Sequence, residues 1–127
     1  MAESEVPQPP EGAGPSGARL WTEVVDRYEL EQHELILLRE MVRCTDLLDD
    51  LAAIVEAEGV IVTDPGGKLR AHPAVVEGRQ ARIALARLSA SLRLPAGDEQ
   101  EQGGKGGLRR PQRRGAARGV YGIRGAV

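Results

Sequence analysis

The stretch EQHELILLREMVRCTDLLDDLAAIVEAE, residues 31–58, decides the fold of this chain. It contains no proline or glycine, and its apolar residues recur at alternating steps of four and three, which places them on one stripe of an α-helix. If all 28 residues are helical, the helix is about 42 Å long. Other segments must cover its apolar stripe, which consists of Leu37, Met41, Cys44, Leu48, Leu51 and Val55.

A shorter helix is predicted before this stretch. It starts at Ser16 or Gly17 and runs to about Tyr28, with apolar residues on one face. Trp21 is its expected core anchor, because an aromatic ring supplies a large buried area.

A second long helix is predicted after it, with His72 as the N-cap, Pro73 at the first helical position and Pro95 just beyond the end. This helix is expected to pack antiparallel to the first long helix. Its inner stripe combines small residues with leucines, namely Ala74, Gly78, Ala81, Leu85, Leu88 and Leu92.

The segment between the two long helices predicts a β-hairpin. Gly59 is expected to end the helix as a left-handed C-cap. Residues 60–63 and 68–70 are predicted to be strands on either side of the tight turn DPGG. Because an isolated two-stranded hairpin is marginally stable in water, we expect it to pack on the helices or to pair with another subunit.

The two ends of the chain predict tails around one small domain. Residues 1–16 are rich in proline, glycine and glutamate and are expected to be a disordered arm. Residues 17–95 form the predicted helical oligomerisation domain, and residues 96–127 a basic flexible tail. The expected fold class is therefore mainly α, with a short N-terminal helix, a long antiparallel helix pair linked by a small β-hairpin, and disordered tails.

Charge is distributed unevenly along the chain. Residues 1–101 hold all 19 acidic residues and ten basic ones, a charge of −9, whereas residues 103–127 hold seven basic and no acidic residues, a charge of +7, which together give the net −2. An acidic body with a basic, glycine-rich tail indicates a polyanion or an acidic protein surface as the partner of the tail.

The composition and the pattern of apolar residues argue against a disulfide-rich, secreted or membrane-spanning protein. The single cysteine excludes an intramolecular disulfide framework and suits a reducing cytosol. The acidic N-terminus does not resemble a signal peptide, and no apolar run approaches the roughly 20 residues that span a bilayer. We expect a soluble intracellular protein without a membrane partner.

No pattern in the sequence indicates catalysis or metal binding, so neither an enzyme nor a cofactor is predicted. His33 and Cys44 lie about 16 Å apart along one helix and cannot share an ion. Cys44 is expected to be a small core residue and His72 a cap residue. The glycine-rich GGKGG segment lacks the spacing of a phosphate loop. The carboxylates of the long helix are expected to form a solvated face; they are Asp46, Asp49, Asp50, Glu56 and Glu58.

The basic tail carries the predicted binding residues. Basic side chains among glycines are typical of a flexible arm that contacts phosphates without reading bases, although a solubilising tail would have the same composition. A short apolar cluster around Tyr121 resembles a docking motif that becomes ordered on a partner. The predicted DNA- or partner-binding residues are Lys105, Arg109, Arg110, Arg113, Arg114, Arg118, Arg124 and Tyr121.

A second apolar row lies beside the first stripe of residues 31–58 and makes the apolar sector too wide for one partner helix. We predict that neighbouring subunits cover the excess, so that this row is the oligomerisation surface. It consists of Leu35, Leu38, Val42 and Ile54.

The order of these features resembles a known family. The pattern LWxxVxxxYEL, a long helix, and then EGVIVTDPGGKLRAHPAVVEGRQARIALARLSASLRLP are similar to small terminase subunits of bacteriophages, of the P27 type. The resemblance covers about residues 19–95 and is most specific over residues 59–95. Many members have Asn at the position of His72, a change that alters the cap but preserves the helix start.

The resemblance implies a role in viral DNA packaging, in the cytoplasm of a bacterial host. Small terminases form rings of subunits, recognise viral double-stranded DNA, and recruit and regulate the large terminase subunit, which supplies the ATPase and nuclease. An alternative is a helical structural adaptor or virion connector that binds only protein. A small DNA-binding repressor is a further possibility, but no helix-turn-helix pattern supports it.

Overall fold

The computed structural model describes residues 5–95 and 111–114. Within these residues the fold is mainly α, with a long antiparallel helix pair joined by a small β-hairpin, as the sequence predicted. The helices are α1 (Pro15–Arg27), α2 (Gln32–Glu58) and α3 (Pro73–Leu92). The strands are β1 (Tyr28–Glu29), β2 (Ile61–Thr63), β3 (Leu69–Ala71) and β4 (Gln112–Arg113).

Helix α2 begins with a capping box and ends at a C-cap glycine. Glu31 is the N-cap of a capping box in which the Glu34 carboxylate accepts from the Glu31 backbone N–H at 2.7 Å. This arrangement satisfies amide groups that the first turn leaves without partners. At the other end Gly59 has φ +88° and ψ 160°. The positive φ requires glycine, but ψ lies outside the left-handed helical region that the sequence predicted.

The hairpin has the predicted turn, and both β2 and β3 start one residue later than predicted. Ile61 pairs with Ala71 and Thr63 pairs with Leu69 in antiparallel register. The Asp64 carboxylate accepts from the Lys68 backbone N–H at 2.9 Å and closes the turn. The hairpin does not pack fully on the helices, because Ile61 is 53% and Leu69 75% exposed.

His72 is the N-cap of α3, which confirms the prediction. Its Nδ1 accepts from the Ala74 backbone N–H at 2.9 Å, and its Nε2 lies 2.7 Å from a carboxylate oxygen of Glu58. The His72 backbone N–H donates to the Val60 carbonyl. This one buried residue therefore ties the end of α2, the hairpin and the start of α3 together.

The core lies at the opposite end of the helix pair, where α1 packs on the first half of α2. Trp21 is 5% exposed, as expected for a core anchor. The hydroxyl of Tyr28 donates to the Pro95 carbonyl just beyond α3. The core combines residues of all three helices and of β1, namely Trp21, Val24, Val25, Tyr28, Leu38, Met41, Val42 and Leu92.

The N-terminal arm contacts this core, so the prediction of disorder through residue 16 is too long. The Trp21 indole N–H donates to the Pro7 carbonyl at 3.0 Å, and α1 already begins at Pro15. A carboxylate of α2 caps α1, because Asp46 accepts from the backbone N–H groups of Gly14 at 2.7 Å and Gly17 at 2.8 Å. Asp46 is therefore not part of a solvated carboxylate face.

Candidate interaction surfaces

The described part of the basic C-terminal segment is a short strand on the helical body. Strand β4 pairs antiparallel with β1, so that Tyr28 lies opposite Arg113 and Glu29 opposite Gln112. The sequence predicted a flexible tail throughout residues 96–127. Residues 111–114 depart from that prediction, because backbone groups of β1 supply partners for an extended segment.

Arg114 fixes this segment to the C-terminal end of α1. Its backbone N–H donates to the Arg27 carbonyl. Its guanidinium donates to the Val25 carbonyl at 2.6 Å and to the Tyr28 carbonyl at 3.2 Å. The last carbonyls of a helix lack helical partners, and a cation there also interacts favourably with the helix dipole. Arg114 therefore acts within the chain as a cap.

The two described arginines of the segment thus have different roles. Arg113 is exposed, whereas Arg114 is engaged by backbone carbonyls. Both line an open cavity of about 340 Å³ together with Asp26, Arg27 and Tyr28. Three of these five residues are cationic and Asp26 is anionic, so the lining has a net positive charge, although Arg27 also pairs with Glu23 at 3.1 Å. The other predicted binding residues lie outside the described residues, namely Lys105, Arg109, Arg110, Arg118, Tyr121 and Arg124.

The predicted oligomerisation row is largely covered within one chain. Leu38 is 0% and Val42 1% exposed, because α1 packs over them. The prediction that neighbouring subunits cover these two residues is therefore wrong. Leu35 is half-buried against the same core. Ile54 lies beyond the reach of α1 and is 39% exposed, so it alone of the four residues presents an open apolar surface.

Other large apolar side chains are exposed where sequence reasoning did not place them. Leu47 on α2 is 45% exposed, and Val76 and Ile83 on α3 are 44% and 45% exposed. The hairpin adds Val60 and Ile61. A signal was present in the sequence: Leu47 and Ile54 are seven residues apart, as are Val76 and Ile83, so each pair lies on one face of its helix.

The seam between α2 and α3 opens into an apolar groove near the hairpin. The buried residues of α3 at this level are Ala74, Gly78 and Ala81, whose small side chains do not fill the space opposite α2. The groove has a volume of about 390 Å³, and Leu51 and Val55 lie on its α2 side. The small residues therefore leave part of the predicted seam unfilled.

The residues considered for metal or nucleophilic chemistry lie apart. His33 is exposed, and Cys44 is half-buried rather than a full core residue. Burial, together with the neighbouring Glu40 carboxylate, raises the pKa of the Cys44 thiol above its ordinary value, which disfavours the nucleophilic thiolate. In the described part of the chain, no three His, Cys, Asp or Glu side chains are grouped as they would be around a metal ion.

Among the helices of the described ranges, none is long and apolar enough to cross a membrane. Comparison of the chain with protein-family models, with curated proteins and with solved structures gave no match.

Proposed function

We propose that this chain is a non-catalytic small subunit of a viral DNA-packaging terminase. In this role it binds viral double-stranded DNA through its basic segment, recruits the large ATPase-nuclease subunit and assembles into a ring of identical subunits in the cytoplasm of the bacterial host. The proposal rests on the resemblance over residues 19–95 together with the surfaces that the helical body presents.

The observation that carries the DNA-binding part is the position of the basic segment. Residues 1–101 have a charge of −9 and residues 103–127 a charge of +7. Arg114 holds the described part of this segment, residues 111–114, at the C-terminal end of α1 and leaves Arg113 exposed beside it. Such a segment suits phosphate contacts, which give affinity and position but no base sequence.

A salt titration of binding to duplex DNA tests the proposal. Of the seven basic residues beyond residue 102, Arg114 is engaged within the chain, so at most six remain for phosphates. We expect log Kd to change with log salt concentration with a slope of magnitude up to about 5.

A matched pair of variants locates the contact. Replacing Arg109 and Arg110 with Gln should lower the magnitude of the slope by about 2. Replacing Arg19 and Arg70 with Gln removes the same charge from exposed positions of the body and should leave the slope unchanged. Absence of DNA binding at low salt would refute the DNA-binding role and favour an adaptor that binds only protein.

A further inference from the structure

The outer surfaces of α2 and α3 carry the same residue pattern with opposite charge. On α2 the pattern is Leu47, Asp50 and Ile54, which we call the α2 outer face. On α3 it is Val76, Arg79 and Ile83, which we call the α3 outer face. In each pattern a charged residue follows the first apolar residue by three positions and precedes the second by four. The apolar pair therefore spans about 10.5 Å along either helix.

Both faces are open in the single chain. Leu47, Ile54, Val76 and Ile83 are between 39% and 45% exposed. On α3 the outer face is opposite to the buried inner stripe that contains Gly78, because the two differ by about half a helical turn. On α2 the outer face lies about 100° around the helix from the stripe that faces α3, and Leu47 and Asp50 line an open cavity beside residues 10–13 of the N-terminal arm.

The charges at the centre of the two faces form no ion pair with the residues that the structure describes. Asp50 and Arg79 are exposed, and neither takes part in any of the ion pairs formed within the described ranges. Matching apolar spacing with unpaired opposite charges is the kind of complementarity that selects a partner and its register.

We propose that the α2 outer face of one copy of this chain packs against the α3 outer face of a second copy. Leucine, valine and isoleucine side chains then cover one another, and the Asp50 carboxylate meets the Arg79 guanidinium. Contacts between two α2 outer faces would oppose Asp50 to Asp50, and contacts between two α3 outer faces would oppose Arg79 to Arg79. The charges therefore select contact between unlike faces.

Contact between unlike faces leaves one free face at each end of a dimer. Such head-to-tail contacts add further copies and give a closed ring or an open filament. This interface rests on the proposed assembly of identical subunits. It assigns the contact to the two outer faces instead of to Leu38 and Val42, which are buried within one chain. DNA takes no part in its test, so failure of the interface and failure of DNA binding are distinguishable.

Variants in which each charge is reversed test the interface. Their self-association is measured by sedimentation velocity and native mass measurement over a range of protein concentrations. Asp50→Arg or Arg79→Asp alone should weaken self-association by about tenfold or more, because like charges then meet. Asp49→Arg makes the same charge change at an exposed neighbour outside the outer face and should leave association unchanged. Circular dichroism melts establish that each variant is folded.

An equimolar mixture of the two single variants gives the decisive result. In the mixture, Arg at position 50 of one copy meets Asp at position 79 of the other, while the native Asp50 and Arg79 meet at the alternate contact. We expect association to return to within about threefold of the unmodified chain, with the two variants alternating. Folded single variants that associate like the unmodified chain, a mixture as weak as its components, or an unmodified chain that stays monomeric at every concentration would each overturn the proposal.

Discussion

The two ends of the helix pair differ in what covers α2. At the α1 end, Leu38 and Val42 are no more than 1% exposed beneath α1. At the hairpin end, Ile54 is 39% exposed and small residues of α3 leave an open groove. The same helix therefore contributes a three-helix core at one end and an open surface at the other. One end forms the core of the fold, and the other leaves apolar side chains uncovered in the single chain.

Truncation of a buried leucine at the α1 end should give the largest loss in the free energy of unfolding. Leu38→Ala removes a fully buried side chain and should lower the free energy of unfolding by about 2–5 kcal/mol, measured by urea denaturation. Ile54→Ala at the hairpin end is the matched control, with an expected change within about 0.5 kcal/mol under conditions where the chain is monomeric. Equal losses in the two variants would mean that the ends do not differ in this way.

Loss of the cap on α1 should have the next largest effect. Asp46→Ala removes both acceptors of the Gly14 and Gly17 backbone N–H groups. We expect the free energy of unfolding to fall by about 1–2 kcal/mol. Asp49→Ala removes an exposed carboxylate of the same helix and should change it by less than about 0.5 kcal/mol. If both variants melted alike, the cap would contribute nothing to stability.

At the hairpin end, removal of the cap on α3 should cause a somewhat smaller loss of stability. His72→Ala removes the acceptor of the Ala74 backbone N–H and should cost about 1 kcal/mol in thermal unfolding. His72→Asn keeps a capping oxygen and should recover most of that stability. The account of the cap would be wrong if Asn were as destabilising as Ala.

The smallest effect is expected where the basic segment meets α1. Arg114→Ala removes the guanidinium from the Val25 and Tyr28 carbonyls and should lower the free energy of unfolding by less than about 1 kcal/mol. It should nevertheless accelerate hydrogen exchange in β1. Arg113→Ala changes an exposed arginine and serves as the control. Unchanged exchange in both variants would argue against a stable contact between β1 and β4.

Much of the fold followed from local patterns in the sequence. The run from Glu31 to Glu58 without glycine or proline predicted α2, which spans Gln32–Glu58, and the His72–Pro73 start predicted α3. Asp64 in the DPGG turn marked the hairpin. These elements were predictable because their causes are contained in a few neighbouring residues.

Long-range contacts could not be read from the sequence in the same way. Asp46 caps a helix about thirty residues earlier in the chain (|i−j| of 32 and 29), and Arg114 caps α1 from a separation of 89 residues. An aspartate on a long helix and an arginine in a basic segment look like ordinary solvated charges. The prediction for the oligomerisation row was wrong for the same reason. Helical spacing shows that Leu38 shares a face with other apolar residues, but it does not show which helix covers that face.

Hydrogen exchange of the individual amides of α2, measured at increasing protein concentration, tests the central claim most directly. We predict that amides around Leu38 are strongly protected at every concentration, because their protection comes from the core of one chain. Amides around Ile54 should exchange faster in the dilute protein and slow as copies associate. Uniform protection along α2 that does not depend on concentration would contradict the division between a folded core and an open assembly surface.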